Sequence, residues 1–323
     1  MSTHEELMAG AVAAAGLWDL DVEEVDLLSF SENAVFAVDT TDQGRVILRL
    51  HRPGYNTMAQ MESELVWVDS LRDAGIDTPT SLRSARGNGY EMVPVGEETR
   101  VAGVIEWIDG VRLEEILGQD PSSVGRHFHK LGTIMAAIRS HGEVWDTPPG
   151  FDRRLWDADG LVGLDPLWGR FWEVAELEPS ERRLFTQARH VLHRRLSTLP
   201  ADRSMFGLIH ADLHLNNVLA SEDRLVVIDF DDAGFSWYLY ELAVALAPGL
   251  GEPWFDEAAD ALVDGYRSVH PLSDEELAFL PAFITIRELI TVSWLAARPE
   301  LGKQHFLRWV IDRAVEQTKR HLA

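Results

Sequence analysis

The sequence predicts an α+β fold in two lobes, an antiparallel-sheet lobe over residues 1–108 and a mostly helical lobe over residues 109–323. Three observations point to it. A chain of 323 residues, 46% of them hydrophobic, exceeds the usual single-domain size. Its first third consists of short β-type runs separated by turn residues. Beyond Asp109-Gly110 the apolar spacing turns helical.

An opening helix is expected near residues 4–17. VDLLSF (25–30), NAVFAVDT (33–40) and GRVILRLH (44–51) then read as strands, with TTDQG as a hairpin connection. In TMAQMESELVWVDSLRDAG (57–75), Met58, Met61, Leu65, Val68 and Leu71 recur at helical spacing, and Gly75 provides the stop. Two further strands fall around 90–95 and 99–108, the second ending at the lobe boundary.

The second lobe opens with a helix over 121–141, for which Asp120 offers a cap and Pro121 a first-turn residue. Another helix covers 179–196. Ser273 and Glu276 form a capping box ahead of a long apolar helix that carries Pro281 early. The exception is residues 205–234, where the short apolar runs FGLI, NVLA and LVVIDF flank polar segments. A small hairpin set in a helical lobe is an arrangement suited to a functional site.

Composition narrows the function. There are 53 acidic against 29 basic residues, a formal net charge of −24, with lysine only at Lys130, Lys303 and Lys319. A field of that sign repels nucleic acid and anionic membranes and favours, slightly, a cationic small molecule. The absence of cysteine excludes disulfides and thiolate chemistry. The N-terminal MSTHEELMAG has no basic segment followed by an apolar one, and WYLYELAVALAPGLG (237–251) is too short and interrupted to span a bilayer. A cytoplasmic protein is expected.

The chemistry concentrates in HADLHLNN (210–217). Alternation of His210, Asp212 and His214 fits a metal-binding strand. A metal hydrolase, however, explains neither Asn217 nor the strand VVIDFD. Asp212, an Asn five residues later and Asp229 at the end of the next apolar strand are the parts that phosphoryl transfer requires. One carboxylate, Asp212, takes the proton of an acceptor hydroxyl. Asn217 and Asp229 supply a neutral and an anionic oxygen for Mg2+, whose remaining ligands are water and phosphate.

HADLHLNNVL followed by VVIDFDDAG resembles the catalytic and metal loops of the aminoglycoside phosphotransferase and choline kinase-like family of small-molecule kinases, a branch of the protein-kinase-like fold. Ala211 replaces the glycine of the family pattern H-G-D-x-H-x-x-N. The resemblance implies ATP and Mg2+ as cofactors and a bilobal kinase-like architecture. It implies Arg49 as the phosphate-contacting base on the third strand, with Glu64 as its partner (Glu62 being the near alternative). A phosphate-covering loop falls at SFSENAV, free of glycine, where Ser29, Ser31 and Asn33 take over. The hinge falls at VIEWIDG, whose backbone near Glu106 and Ile108 meets the adenine edge. By the same resemblance His210 orients the loop and His214 packs it or faces the substrate. Asp231, which alternation puts on the same side as Asp229, is a second metal ligand, an attractor for a cationic substrate or a solvated turn residue, with a part in the site favoured. Trp168 and Trp237 are candidate acceptor contacts whose alternative role is core filling.

The function expected is transfer of a γ-phosphate to a hydroxyl of a small, amine-bearing metabolite or antibiotic. A bacterial protein serine/threonine kinase of the same fold and a catalytically weak nucleotide-binding module are the alternatives.

Overall fold

The computed structural model describes residues 3–30, 33–221 and 224–322. The chain divides into two compact units. The first comprises residues 1–111 together with Thr147–Arg153 and Leu219–Asp231; the second comprises Arg112–Asp146, Arg154–Val218 and Asp232–Ala323. Two late segments therefore cluster with the sheet-bearing unit, where a division by position along the chain puts them with the helices. The reason is local: Val227 donates its backbone N–H to Asp77 O (2.9 Å), and Asp152 donates its own to Ser63 Oγ (2.9 Å).

In the first unit, helix α1 (His4–Ala15) precedes strands β1 (Val22–Phe30), β2 (Ala34–Thr40) and β3 (Gly44–Leu50), helix α2 (Met58–Asp73) and strands β4 (Tyr90–Val95) and β5 (Glu98–Glu106). The five strands form one antiparallel sheet in the order β1-β2-β3-β5-β4. The alternation seen in the sequence buries Phe36, Val38, Val46, Leu48 and Leu50. On them packs the alanine-rich face of α1, with Ala11, Ala14 and Ala15 wholly buried. Helix α2 starts on a capping box between Thr57 and Gln60, and past its end Gly75 takes the left-handed conformation (φ +86°) that glycine adopts without strain. β1 begins three residues earlier than its apolar run suggested, because Val22 still pairs with Thr40.

The remaining elements run β6 (Val111–Arg112), α3 (Leu113–Gln119), α4 (Val124–Val144), β7 (Arg154–Leu155), α5 (Ala158–Val162), α6 (Pro179–Leu196), β8 (Phe206–Ile209), β9 (Val218–Ser221), β10 (Arg224–Val227), β11 (Gly234–Trp237), α7 (Tyr238–Leu246), α8 (Phe255–Arg267), α9 (Asp274–Leu277), α10 (Leu280–Ala296) and α11 (Leu307–Leu322). Two small sheets have the strand orders β10-β9-β6 and β7-β11-β8; β10 belongs to the first unit, β7, β8 and β11 to the second.

Two details differ from expectation. Pro121–Ser123 is a separate 3-10 turn and α4 starts at Val124; Asp120 accepts from Ser122 Oγ (2.5 Å) and caps no helix. The capping box of Ser273 and Glu276 opens the short α9, whereas Pro281 sits in the first turn of a new helix, α10, where its missing N–H costs nothing. Most of α10 is buried, as befits the core helix of this unit.

α4 and α8 meet backbone to backbone. A Cβ on Gly132 would lie 2.1 Å from Leu262 O, and one on Gly265 would lie 1.9 Å from His129 O. Neither obstruction is a side chain that can swing away, so the helices must part. Gly132→Ala is expected to lower the unfolding free energy by about 1–3 kcal/mol, read as a shifted denaturant midpoint, whereas alanine at exposed, unobstructed Gly118 should leave the midpoint nearly unmoved.

Candidate active site

The loop that follows β8 in the second unit sets one carboxylate, Asp212, among three side chains, two from the loop itself and one from α10. The chain leaves β8 through His210, which is wholly buried, and turns at Ala211 with φ +64°. That left-handed conformation costs an L-residue roughly 1–2 kcal/mol. It explains why the related motif carries glycine here, and why alanine, with the smallest side chain, is the substitute. Ala211 N–H donates to Glu241 Oε2 (2.8 Å), which holds the turn. His210 Nδ1 accepts the N–H of Asp212 (3.3 Å), so this imidazole orients the loop.

Asp212 itself is held from three sides. Arg287 Nη2 donates to Oδ1 (2.5 Å), Asn217 Nδ2 to Oδ2 (3.1 Å), and His214 Nε2 lies 3.4 Å from Oδ2. Burial pushes this carboxyl up, but His214 and Arg287 outweigh burial and hold it well below the usual carboxylate range. Asp212 is therefore an ionised, weakly basic group with a fixed orientation. His214 spends its other nitrogen on Asn216 N–H (3.2 Å).

The first unit carries a second charged cluster. Arg49, the penultimate residue of β3, opposite Val35 on β2 and Gly103 on β5, points one nitrogen at two carboxylates: Nη1 lies 3.0 Å from Asp229 Oδ1 and 3.1 Å from Asp231 Oδ1. Asp229 is also left-handed (φ +67°). Burial pushes the Asp231 carboxyl up, whereas Arg49 and then His51 pull it lower, leaving it below its ordinary value. His51, 3.8 Å from Asp231, is pushed down to about 4 by burial, against the pull of Asp231, and is neutral at pH 7.

Here the expected partner of Arg49 is corrected. Glu64 pairs with Arg153 Nη1 (3.3 Å), and Arg49 is taken by the two aspartates. Arg153 also donates to Gln60 O (2.9 Å), Phe230 O (2.7 Å) and Asp231 O (2.9 Å), tying α2 to the segment that carries Asp229. Nothing in its local sequence singles it out, because its partners lie 77 to 93 residues away. Burial and Asp231 push the Glu64 carboxyl up against the pull of Arg153 and Arg49.

Other expected nucleotide contacts have different occupations. Asn33 donates its amide to Asp231 and accepts Arg52 N–H on Oδ1 (2.9 Å), so both ends of the side chain are engaged inside the unit. Ser31 lies outside the described residues. Glu106 donates its N–H to Thr80 O (2.9 Å) and accepts Thr80 N–H on Oε1 (2.9 Å). Ile108, two residues past the end of β5, makes no hydrogen bond to the described residues and keeps both backbone groups available. A pocket within this unit is lined by Arg49, Glu64, Leu65, Val104, Ile105 and Asp229, a charged end on an apolar wall.

The two tryptophans part company. Trp237 is buried against Phe206 and Phe283 and donates its indole N–H to Pro200 O (2.9 Å); it is a core side chain. Trp168 is buried too, but the Arg287 guanidinium lies over its ring at 4.7 Å, which links it to Asp212.

Among the described residues no group of three His, Asp or Glu side chains is arranged to hold a metal, so His210, Asp212 and His214 do not form the ligand set their alternation offered. The donors suited to Mg2+ are of another kind. Asn217 turns its NH2 to Asp212, which leaves its amide oxygen with no hydrogen bond among the described residues, and Asp229 supplies a carboxylate. Both are hard oxygen donors of the type that ion prefers.

Comparison with known proteins shows the family and the fold. Residues 27–279 match the model of the phosphotransferase enzyme family. A solved microcompartment-associated aminopropanol kinase superposes with a TM-score of 0.83 at 31% identity, covering 96% of this chain and 97% of that one. Amicoumacin kinase of Bacillus subtilis (strain 168) is 25% identical over 299 residues, 89% of this chain and 83% of its own length. A solved amicoumacin kinase in complex with AMP-PNP, Ca2+ and Ami shares the fold, with a TM-score of 0.78 at 21% identity, covering 98% of this chain and 97% of that one.

Glu241, which braces Ala211, gives a test. Burial pushes its carboxyl up from 4.5 to about 8. A raised value in the folded state means that its stabilisation is complete below about 4.5, declines as pH rises and is lost through about 8. Glu241→Gln keeps the acceptor for Ala211 N–H without a charge. Its Tm relative to the parent should climb between about pH 5 and pH 8 and level off above, as measured by scanning calorimetry; Glu241→Ala should be less stable throughout.

Proposed function

The chain belongs to the phosphotransferase enzyme family and is a kinase of small-molecule hydroxyl groups, and we propose that its donor is ATP with Mg2+ and its acceptor a small amine-bearing alcohol, whether metabolite or antibiotic. The observation that carries this reading is the Asp212 carboxylate, ionised and oriented by Asn217, His214 and Arg287. In the proposed reaction the acceptor oxygen bonds to the γ-phosphorus and the bridging bond to the β-phosphate oxygen breaks. The hydroxyl proton passes to Asp212 and ADP leaves. A carboxylate held this far below its usual range takes that proton late, once the oxygen has begun to bond, so the main work of Asp212 is to aim the nucleophile.

Arg49 would clamp phosphate oxygens, and Asn217 and Asp229 would hold the Mg2+, which when bound neutralises charge on the phosphates. Adenine would lie toward the open backbone of Ile108. The adenine nucleotide in the amicoumacin kinase complex supports ATP as donor, and aminopropanol, the compound in the name of the kinase that is 31% identical, is an amine and an alcohol at once. The acidic balance of the chain also favours a cationic acceptor.

Incubating the protein with ATP, Mg2+ and a panel of amino alcohols, with amine-free alcohols of matched size beside them, should give ADP above background only with the amine-bearing set. Equal rates with the amine-free set would remove the acceptor assignment. Asp212→Asn should cut kcat by about 10²–10⁴-fold with nucleotide affinity retained, and Asp229→Asn should lose the metal-dependent part of nucleotide affinity, both followed by fluorescent-nucleotide titration and turnover. Full turnover in the Asp212 variant would end the assignment of the base.

A further inference from the structure

The arginine on Asp212 is not explained as a device for stability. Arg287 sits on α10, is almost wholly buried, and contacts the carboxylate through one nitrogen, Nη2. Its other terminal nitrogen, Nη1, is buried and makes no hydrogen bond of regular geometry; its neighbour is the buried hydroxyl of Tyr240, close enough to interact with the guanidinium. A buried ion pair is often no more stabilising than well-packed apolar residues of the same size. Stability is therefore a weak reason for an arginine at this position.

What the surroundings do supply is rigidity. The guanidinium carbon Cζ lies over the Trp168 ring, 4.7 Å from its centroid. Trp168 is itself wedged between Trp156 (ring centroids 5.4 Å apart, edge to face) and Trp294 (6.1 Å). An arginine seated over an indole with its Nη2 on Oδ1 determines where that oxygen of Asp212 lies. With Asn217 on Oδ2, rotation of the carboxylate about its Cβ–Cγ bond is blocked from both ends. Holding a reacting group this way is what keeps a site within the few tenths of an ångström that transfer needs.

We propose that Arg287, seated on the face of Trp168, is a positioning residue that presents the Asp212 carboxylate to the acceptor hydroxyl. The inference rests on the reading of Asp212 as the group that receives the hydroxyl proton. Lysine cannot substitute, because an ammonium has no planar face to lay on the indole and no fixed fork to aim at Oδ1. Trp168, in this account, acts one step further out, as the ledge that keeps the guanidinium flat.

The test is a kinetic cycle on the full chain with ATP, Mg2+ and whichever panel alcohol the parent turns over. Arg287→Lys should lose about 100-fold in kcat with KM for ATP unchanged, and Trp168→Leu should lose about 10-fold with the same split. The double variant Asp212→Asn/Arg287→Lys should be no slower than Asp212→Asn alone, since a residue that acts only through Asp212 has nothing left to position. Parental kcat in Arg287→Lys, a rise in KM for ATP that matches the fall in kcat, or losses that multiply in the double variant would each overturn the inference while leaving Asp212 as the base. If Arg287→Lys folds poorly, Trp168→Leu decides on the same split, and parental kcat there overturns the ledge and the inference with it. Full turnover by Asp212→Asn alone would take down the underlying reading and this one together.

Discussion

Burying a carboxylate without a cation beside it is so unfavourable that the group takes up a proton instead. Asp212 and Asp231 escape that outcome through an arginine each, Arg287 in the second unit and Arg49 in the first. In both, burial alone would push the carboxyl up, and the neighbouring positive charge reverses the direction. Much else in the molecule follows from keeping those two arginines still. Arg49 stands in β3, between β2 and β5 in the middle of the five-stranded sheet, where backbone pairing on both sides fixes its origin. Arg287 stands on α10, the most deeply buried long helix of its unit, with an indole under its guanidinium.

Those parts of the site that lie close together along the chain are legible in the sequence itself. Asp212 and Asn217 are five residues apart on one loop, and VVIDFD delivers Asp229 from the next strand, so spacing alone suggests the set proposed for phosphoryl transfer. Likewise the strands of the first unit announce themselves through alternation, and α2 through its period and the stop at Gly75. What spacing cannot give is a partner chosen across the fold. Arg287 meets Asp212 from 75 residues away and Arg153 meets Glu64 from 89, and neither stands in any local pattern. Glu64 is a reasonable partner for Arg49 by the family pattern, but Arg153 enters from a distant segment and takes it. Trp168 and Trp237 look alike in sequence; only packing reveals that one seats an arginine while the other fills a core.

Ala211 illustrates how a departure from a motif is read physically. The position requires φ near +64°, which glycine provides without cost and alanine provides with strain. The strain is sustainable because its N–H is fastened to Glu241 inside a wholly buried environment. A larger or β-branched residue would add a clash to the strain, so the tolerance for substitution here ends close to alanine.

Arg49 shows the complementary point for the nucleotide side. No lysine occurs in the first 129 residues, and a guanidinium suits this seat better than an ammonium would, being less strongly hydrated and so less penalised by burial. Yet as the unit stands, Arg49 is committed to Asp229 and Asp231, one positive charge against two negative. A triphosphate adds about four more negative charges, and Arg49 cannot turn to them without leaving the aspartates exposed to the same repulsion. Asp229 must therefore gain another cation when Arg49 turns to the phosphates. On the proposed reading this couples the two ligands: the nucleotide and its divalent ion enter together, because each removes the charge penalty that Arg49 alone is too small to cover for the other.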